Sequence, residues 1–520
     1  MHRRNLFAIV LVALAAPLVG QADVRLPALF TDHMVLQRDV TNKVWGWAEA
    51  GETVRVAVAA RKAETKAGKD GSWSVTLDPL PAGGPHTLTV KGANEIAVRD
   101  VLVGEVWVCS GQSNMQMSVA AAKDADVEIL AARYPRLRLI SVPRLGTQEP
   151  QSDFKGAWAL CDPNTVGPFS AVGYYFGRTI HKALDIPVGL IHSSWGGSSC
   201  EAWVRRDLLR ADERYTDLLQ RWEETEKRFD PAAVKANYEK ALAQWKEQAA
   251  AAKKAGKPQP RRPRPPRNPL IGQHRPGNLY CGMIQPLLGY GIRGAIWYQG
   301  ESNAGRAYQY RHLFPRMISN WREDWGVGDF SFYWVQLADF LAESDDPNLP
   351  CPWAELREAQ TMTLDALPKT GEAVIIDVGD GKDIHPKNKQ DVGVRLARLA
   401  LAKDYGKAIA AESPRYESME VRGSKAIVTL KNCSGPLRPF DVREVRGFAI
   451  AGEDKKFVAA QAKIVGANKV EVWSDAVAKP VAVRYAWANN PVCNLYDSKG
   501  LPVTPFRTDD WPGATIHNTK

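Results

Sequence analysis

The sequence predicts an α/β protein: a parallel sheet, covered by helices on both faces, with β-rich segments at either end of the chain. Three observations lead there. Four continuous apolar runs, "IPVGLIHSSWGG", "IRGAIWYQGES", "FSFYWVQLADF" and "GEAVIIDVGD", each end in small or polar residues. Between them, "AVGYYFGRTIHKAL", "LFPRMISNWREDW" and "KQDVGVRLARLALAKDY" carry apolar residues at helical spacing. Outside this region, short stretches alternate apolar and polar residues between turn residues. Apolar strands alternating with helices imply strands buried on both faces. Ligands of such sheets bind outside the carboxyl ends of the strands.

At 520 residues the chain is too long for one ordinary core. Residues 1–22 hold Arg3 and Arg4, a short apolar core, then small residues at Gly20 and Ala22. This is the pattern of a signal peptide cleaved after Ala22, not of a membrane span. The mature protein is therefore expected to be periplasmic or secreted, with no membrane span. Residues 23–104 form a β domain, with strands in "ETVRVAVAA", "GSWSVTLDPL" and "HTLTVKG". That domain runs directly into "VLVGEVWVCSGQSNM", which opens the α/β domain at 105–404. An insertion at 206–275 predicts a helical hairpin, its second helix started by Asp230 as cap and Pro231 at the first position. A Pro/Arg-rich loop follows. Residues 405–520 return to β structure, with strands in "KAIVTLKN", "GFAIAG", "NKVEVWSD" and "AVRYAWANN".

Net charge is +10, which suggests a nucleic-acid partner until the charge is located. Two arginines leave with the leader, and seven positive charges sit in "AKKAGKPQPRRPRPPR" at 252–267, leaving about +1 elsewhere. A solvated loop explains this better than a folded basic face, so no nucleic acid is expected. The seven cysteines show no metal-ligand spacing, and no metal or other cofactor is expected. Cys433 and Cys493 are a candidate disulfide, and the odd count leaves at least one thiol free.

"VCSGQSNMQM" places Ser113 in a small-residue turn after an apolar strand. The turn lacks the second glycine of the G-x-S-x-G elbow, so an α/β-hydrolase is not indicated. A serine nucleophile needs a base, oxyanion donors and a group that orients the base. Of nine histidines, two stand at strand ends: His192 directly after "VGLI", and His385 in "GDGKDIHPKN" with Asp383 two residues before it. The late position and the adjacent acid favour His385. Gly196 and Gly197 in "SSWGG", and Gln299 and Asn303 in "WYQGESNAG", are candidate oxyanion donors.

The order GQSN, WGG, YQGES, then D-x-H resembles the SGNH/GDSL-like hydrolases, and more closely the sialate O-acetylesterase family with its bacterial carbohydrate-acetylesterase relatives. The likeness covers nearly the whole mature chain, including "LPALFTDHMVLQRD", "RPGNLYCGMIQPL" and "DIHPKNKQDVGVRLA". It implies a flavodoxin-like three-layer α/β/α catalytic domain flanked by β-sandwich-like domains. It also implies Ser113 as nucleophile and His385 as base, with an oxyanion hole of the Ser113 amide, the Gly196 amide and the Gln299 side chain. The superfamily places its acid in D-x-x-H, where this chain has Lys382. Asp383 is the expected acid, and Asp380 or a main-chain carbonyl supporting a Ser–His dyad remain open. Gln112, Asn114, Trp195, Glu301, Asn303 and Arg306 are candidate substrate contacts.

The resemblance thus implies a serine esterase that removes O-acetyl groups from carbohydrates. For sialic acid, Arg306 or Arg293 would meet the carboxylate; for a plant glycan, Trp195, Trp203, Trp297 and Tyr298 are candidate platforms. A non-catalytic carbohydrate-binding protein and a short-chain lipase or thioesterase are the alternatives. Oligomeric state is not legible.

Overall fold

The computed structural model describes residues 23–344 and 346–520, so the expected leader lies outside the described residues. The molecule is a mixed α/β structure around a mostly parallel sheet, with additional β segments at both ends. The central sheet uses β1 (Glu95–Gly111), β2 (Tyr134–Ser141), β3 (Ala159–Cys161), β4 (Val188–Ser194), β5 (Gly294–Tyr298), β6 (Ser331–Val335) and β7 (Thr370–Ala373). Their spatial order is β7-β6-β5-β1-β4-β2-β3, and only β3 pairs antiparallel. The chain lays β2, β3 and then β4 on one side of β1, β4 filling the place beside it, and then crosses to the other side. The switch point therefore lies at the carboxyl end of β1.

Alternate residues of each strand feed two separate cores. Trp107, Ile296, Tyr298 and Tyr333 pack on one face, with α1 (Ala171–Leu184) and α6 (Lys389–Lys403) above them. Val108, Trp297, Phe332 and Trp334 pack on the other, under α4 (Ala307–Trp325) and α5 (Pro352–Ala366). This period of two explains why the strands read as unbroken apolar runs: both neighbours of every buried residue are buried too.

β1 is unusually long at 17 residues. Its first half pairs antiparallel with Gly83–Lys91 of the N-terminal β segment, and its second half is the middle of the parallel sheet. Residues 104 and 105 lie within it, so the two regions share one continuous element. At the other end of the chain, two four-stranded antiparallel sheets enclose a core of Val428, Val470, Ile450 and Val483.

The insertion folds as α2 (Thr216–Arg228) and α3 (Pro231–Lys254). Asp230 accepts from the N–H groups of Ala232 and Ala233 and so starts α3 as its sequence indicates. Leu218, Leu219 and Trp222 seat α2 on the core, whereas Ala249 is the one buried residue of α3. Trp245 donates to the Pro260 carbonyl and holds the Pro-rich loop against α3.

All seven cysteines are free, which corrects the candidate pairing of Cys433 with Cys493. Among the described residues, no helix is long and apolar enough to cross a membrane.

Candidate active site

β1 ends at Gly111, whose φ is +136°. A Cβ there would lie 2.2 Å from the Tyr298 carbonyl oxygen of neighbouring β5, so only glycine lets the chain leave the sheet here. Gln112 is extended, and Ser113–Gln116 form one helical turn. The first N–H groups of that turn have no carbonyl a turn behind them, and Gln112 supplies no side-chain cap. The Ser113 N–H is thereby left for a ligand, at the switch point of the sheet.

His385 comes from the loop between β7 and α6. Its Nε2 lies 2.8 Å from Ser113 Oγ. The peptide group that precedes the ring is held at both its ends by side chains. The His385 N–H donates to Asp383 Oδ1 at 2.9 Å, and Asn114 Nδ2 donates to the Ile384 carbonyl at 3.0 Å. Burial pushes the imidazole below its ordinary pKa; the Asp383 charge opposes this, while Lys389 and Lys387 reinforce it. The ring is therefore a free base at neutral pH.

The third member of the expected triad is the weak one. Asp383 Oδ1 stands 3.6 Å from His385 Nδ1, an ion-pair separation beyond hydrogen-bond reach, and its side chain is 40% exposed. Its carboxylate is held below the usual range chiefly by the His385 N–H, with Lys387 adding to the effect. Asp380 accepts from the Lys382 N–H within its own turn.

Several expected substrate contacts are instead braces between loops. Asn114 donates to Glu301 Oε1 at 2.6 Å and to Ile384, and accepts from Lys389 Nζ at 2.6 Å. It is 1% exposed, so all of its amide is spent tying the serine turn to two loops and α6. Burial raises the Glu301 carboxyl and lowers Lys389 to about 7, which leaves this network with little net charge to desolvate. Gln299 donates to the Ser198 carbonyl and to Asn303 Oδ1 and accepts from the Tyr310 hydroxyl. With both amide protons committed and no exposure, Gln299 is not an oxyanion donor in this arrangement. Asn303 is turned to Glu201, which also takes Arg306 Nη2 at 2.5 Å in a buried ion pair. Gln112 accepts from the Gly300 N–H, and the Trp195 N–H donates to the Gly111 carbonyl.

The cleft beside Ser113 has a volume of about 680 Å³, and none of those residues lines it. His385, His192, Ser194, Gln116, Arg144 and Lys387 do. Gly196 is close: a Cβ on it would stand 3.3 Å from Ser113 Cβ, although its N–H is engaged by Gln116 Oε1 at 2.6 Å. Arg144 is exposed and makes no ion pair or hydrogen bond among the described residues. Arg293 pairs with buried Glu105 far from this cleft. Trp203, Trp297 and Tyr298 are fully buried in the two cores. The sequence pattern missed Arg144, three residues past the end of β2; its place at a strand end was the available signal. Among the described residues, no cluster of three His, Cys, Asp or Glu could hold a metal ion.

A family model described as carbohydrate esterase, sialic acid-specific acetylesterase, matches residues 103–236 and 273–401. The residues it passes over include most of α3 and the Pro-rich loop. Sialate O-acetylesterases of Rattus norvegicus and Homo sapiens are each 29% identical, over 93% and 96% of this chain and 94% and 97% of theirs. A solved structure of a novel carbohydrate acetylesterase from Xanthomonas citri is 38% identical. It covers 94% of this chain and 100% of its own, with a TM-score of 0.79.

Proposed function

The chain belongs to the sialic acid-specific acetylesterase family of carbohydrate esterases, and from that premise we propose that it removes O-acetyl groups from sugars through an acetyl-serine. The observation that carries the mechanism is the 2.8 Å contact between Ser113 Oγ and His385 Nε2. His385 takes the hydroxyl proton as Ser113 attacks the acetyl carbonyl. The tetrahedral oxyanion meets the Ser113 N–H, and the Gly196 N–H once the Gln116 side chain yields it. The sugar oxygen departs with the proton from His385. Water then releases acetate by the same steps in reverse. The two-sided packing of the sheet supports an SGNH-like three-layer arrangement, with Ser113 at its switch point.

The cleft favours an acidic sugar. Arg144 brings positive charge to it, beside Lys387 with its Asp383 partner at 3.6 Å, and among the described residues no Trp, Tyr, Phe, Asp or Glu lines it. A neutral glycan would find no stacking platform there, while a carboxylate would find an unpaired guanidinium. The leader read at residues 1–22 supports export of the mature enzyme.

Acetate release from O-acetylated sialic acids, acetyl-xylan and acetylated xyloglucan tests this reading. We expect the sialic acid esters to be turned over fastest, and Arg144→Ala to raise their KM. Faster release from the neutral glycans would overturn the acidic-sugar assignment. Release from none of them would overturn the esterase.

A further inference from the structure

His192 lies near the end of β4 and is the second histidine lining the cleft, one the reaction above leaves unused. The residue is 9% exposed and borders the cleft that holds Ser113 and His385. Nε2 lies 2.6 Å from Ser194 Oγ, and Nδ1 lies 3.4 Å from Ser141 Oγ. Phe169 closes the side of the ring at 5.5 Å, edge-on. All three polar residues line the same cleft. In the sheet register, Ser194 stands opposite Gly111, two residues before the nucleophile.

Burial pushes the His192 imidazole down to about 4, so the ring is neutral at neutral pH. A neutral imidazole carries one N–H and one lone pair, and each serine hydroxyl can rotate to donate or accept. The chain Ser141–His192–Ser194 therefore offers a donor at one end and an acceptor at the other. A change of tautomer reverses its polarity. An acetyl group needs no such pair, but a sugar with free hydroxyls beside its ester can use both ends.

We propose that Ser141, His192 and Ser194 form the subsite for the alcohol portion of the substrate, hydrogen-bonding the sugar hydroxyls that neighbour the acetylated position. This rests on the esterase reading and names what the leaving group must be: a polyol with at least one free hydroxyl next to the ester. The subsite ranks esters by their alcohol and takes no part in proton transfer at Ser113.

The test compares kcat/KM on p-nitrophenyl acetate, whose alcohol has no neighbouring hydroxyl, with mono-O-acetylated N-acetylneuraminic acid and mono-O-acetylated xylose. Ser194→Ala removes one hydroxyl, and His192→Phe keeps a ring but no polar atom. Thermal melts establish that each variant is folded. For whichever sugar ester the wild type prefers, both variants should lose about tenfold more kcat/KM than they lose on the aryl ester. Equal losses on the two kinds of ester, or no selective loss in either variant, overturn the subsite and leave the esterase standing. A wild type inert toward all three esters overturns the esterase reading and the subsite with it.

Discussion

A hydroxyl attacks an ester only when a base can hold its proton, and His385 Nε2 is set for that at 2.8 Å from Ser113 Oγ. What orients the base is less usual. The carboxylate two residues away is 40% exposed and 3.6 Å from the ring, so solvent screens much of its charge. The loop is fixed instead through one peptide group: the His385 N–H donates to Asp383 Oδ1, a bond an asparagine there also accepts, and Asn114 donates to the Ile384 carbonyl. Asp383→Asn should therefore lower kcat by less than about tenfold, against roughly 10⁴-fold where a buried triad acid is changed in this way. The acid limb of kcat/KM against pH follows His385, which must be deprotonated to act. Because burial depresses its pKa, the wild-type midpoint should fall below about 6.5. Asp383 opposes that depression, so the variant's midpoint should move to lower pH still. A 10⁴-fold loss, or a midpoint that rises, would restore Asp383 to a full triad role. The sequence made Ser113 and His385 legible because strand-end position and scarcity both singled them out. Hydrogen-bond geometry at Asp383 depends on a loop path that no spacing encodes.

At the scale of elements, the short GQSN turn is held by its neighbours, and Asn114 is where they meet. Its side chain joins the β5–α4 loop through Glu301, the histidine loop through Ile384, and α6 through Lys389. Asn114→Ala would leave these three partners unpaired in a site that is 1% exposed. Each orphaned polar group costs about 1–3 kcal/mol, so we expect a loss of about 3 kcal/mol on denaturant unfolding. The histidine loop would also lose its tie to the serine turn, and kcat should fall at least about tenfold. Full activity at unchanged stability would contradict the bracing role. The sequence marked Asn114, Gln299, Asn303, Glu301 and Arg306 as notable but could not separate bracing from substrate contact. Both uses call for buried or strand-end polar side chains, and only the directions of their hydrogen bonds distinguish them.

Across the whole molecule, the C-terminal β segment is fastened to the central domain by buried polar contacts. Arg357 of α5 is fully buried and donates to the carbonyls of Leu337 and Ala338 beyond β6, and of Ala488 and Asn489 in a loop between strands of the C-terminal segment. Glu355, two residues earlier, accepts from the N–H groups of Ala514 and Thr515 in the tail. Arg357→Leu should cost on the order of 4 kcal/mol, because four carbonyls, three of them in buried bonds, lose a charged donor together. An unchanged melting temperature would show that the C-terminal segment is seated by its apolar contacts alone. The alternation of strands and helices gave the architecture away before any coordinates, since a sheet buried on both faces writes itself as unbroken apolar runs. The docking of the C-terminal segment is invisible to such patterns, because an arginine in a helix looks the same whether it meets solvent or four carbonyls.

The whole mechanism turns on an acetyl group carried by Ser113. Peptide mass spectrometry of protein acid-quenched during turnover of p-nitrophenyl acetate tests it directly. One acetyl group is expected on the peptide containing Ser113, and none on the corresponding peptide of Ser113→Ala. Acetate release with no acetyl on Ser113, or an acetyl carried on another side chain, would contradict it.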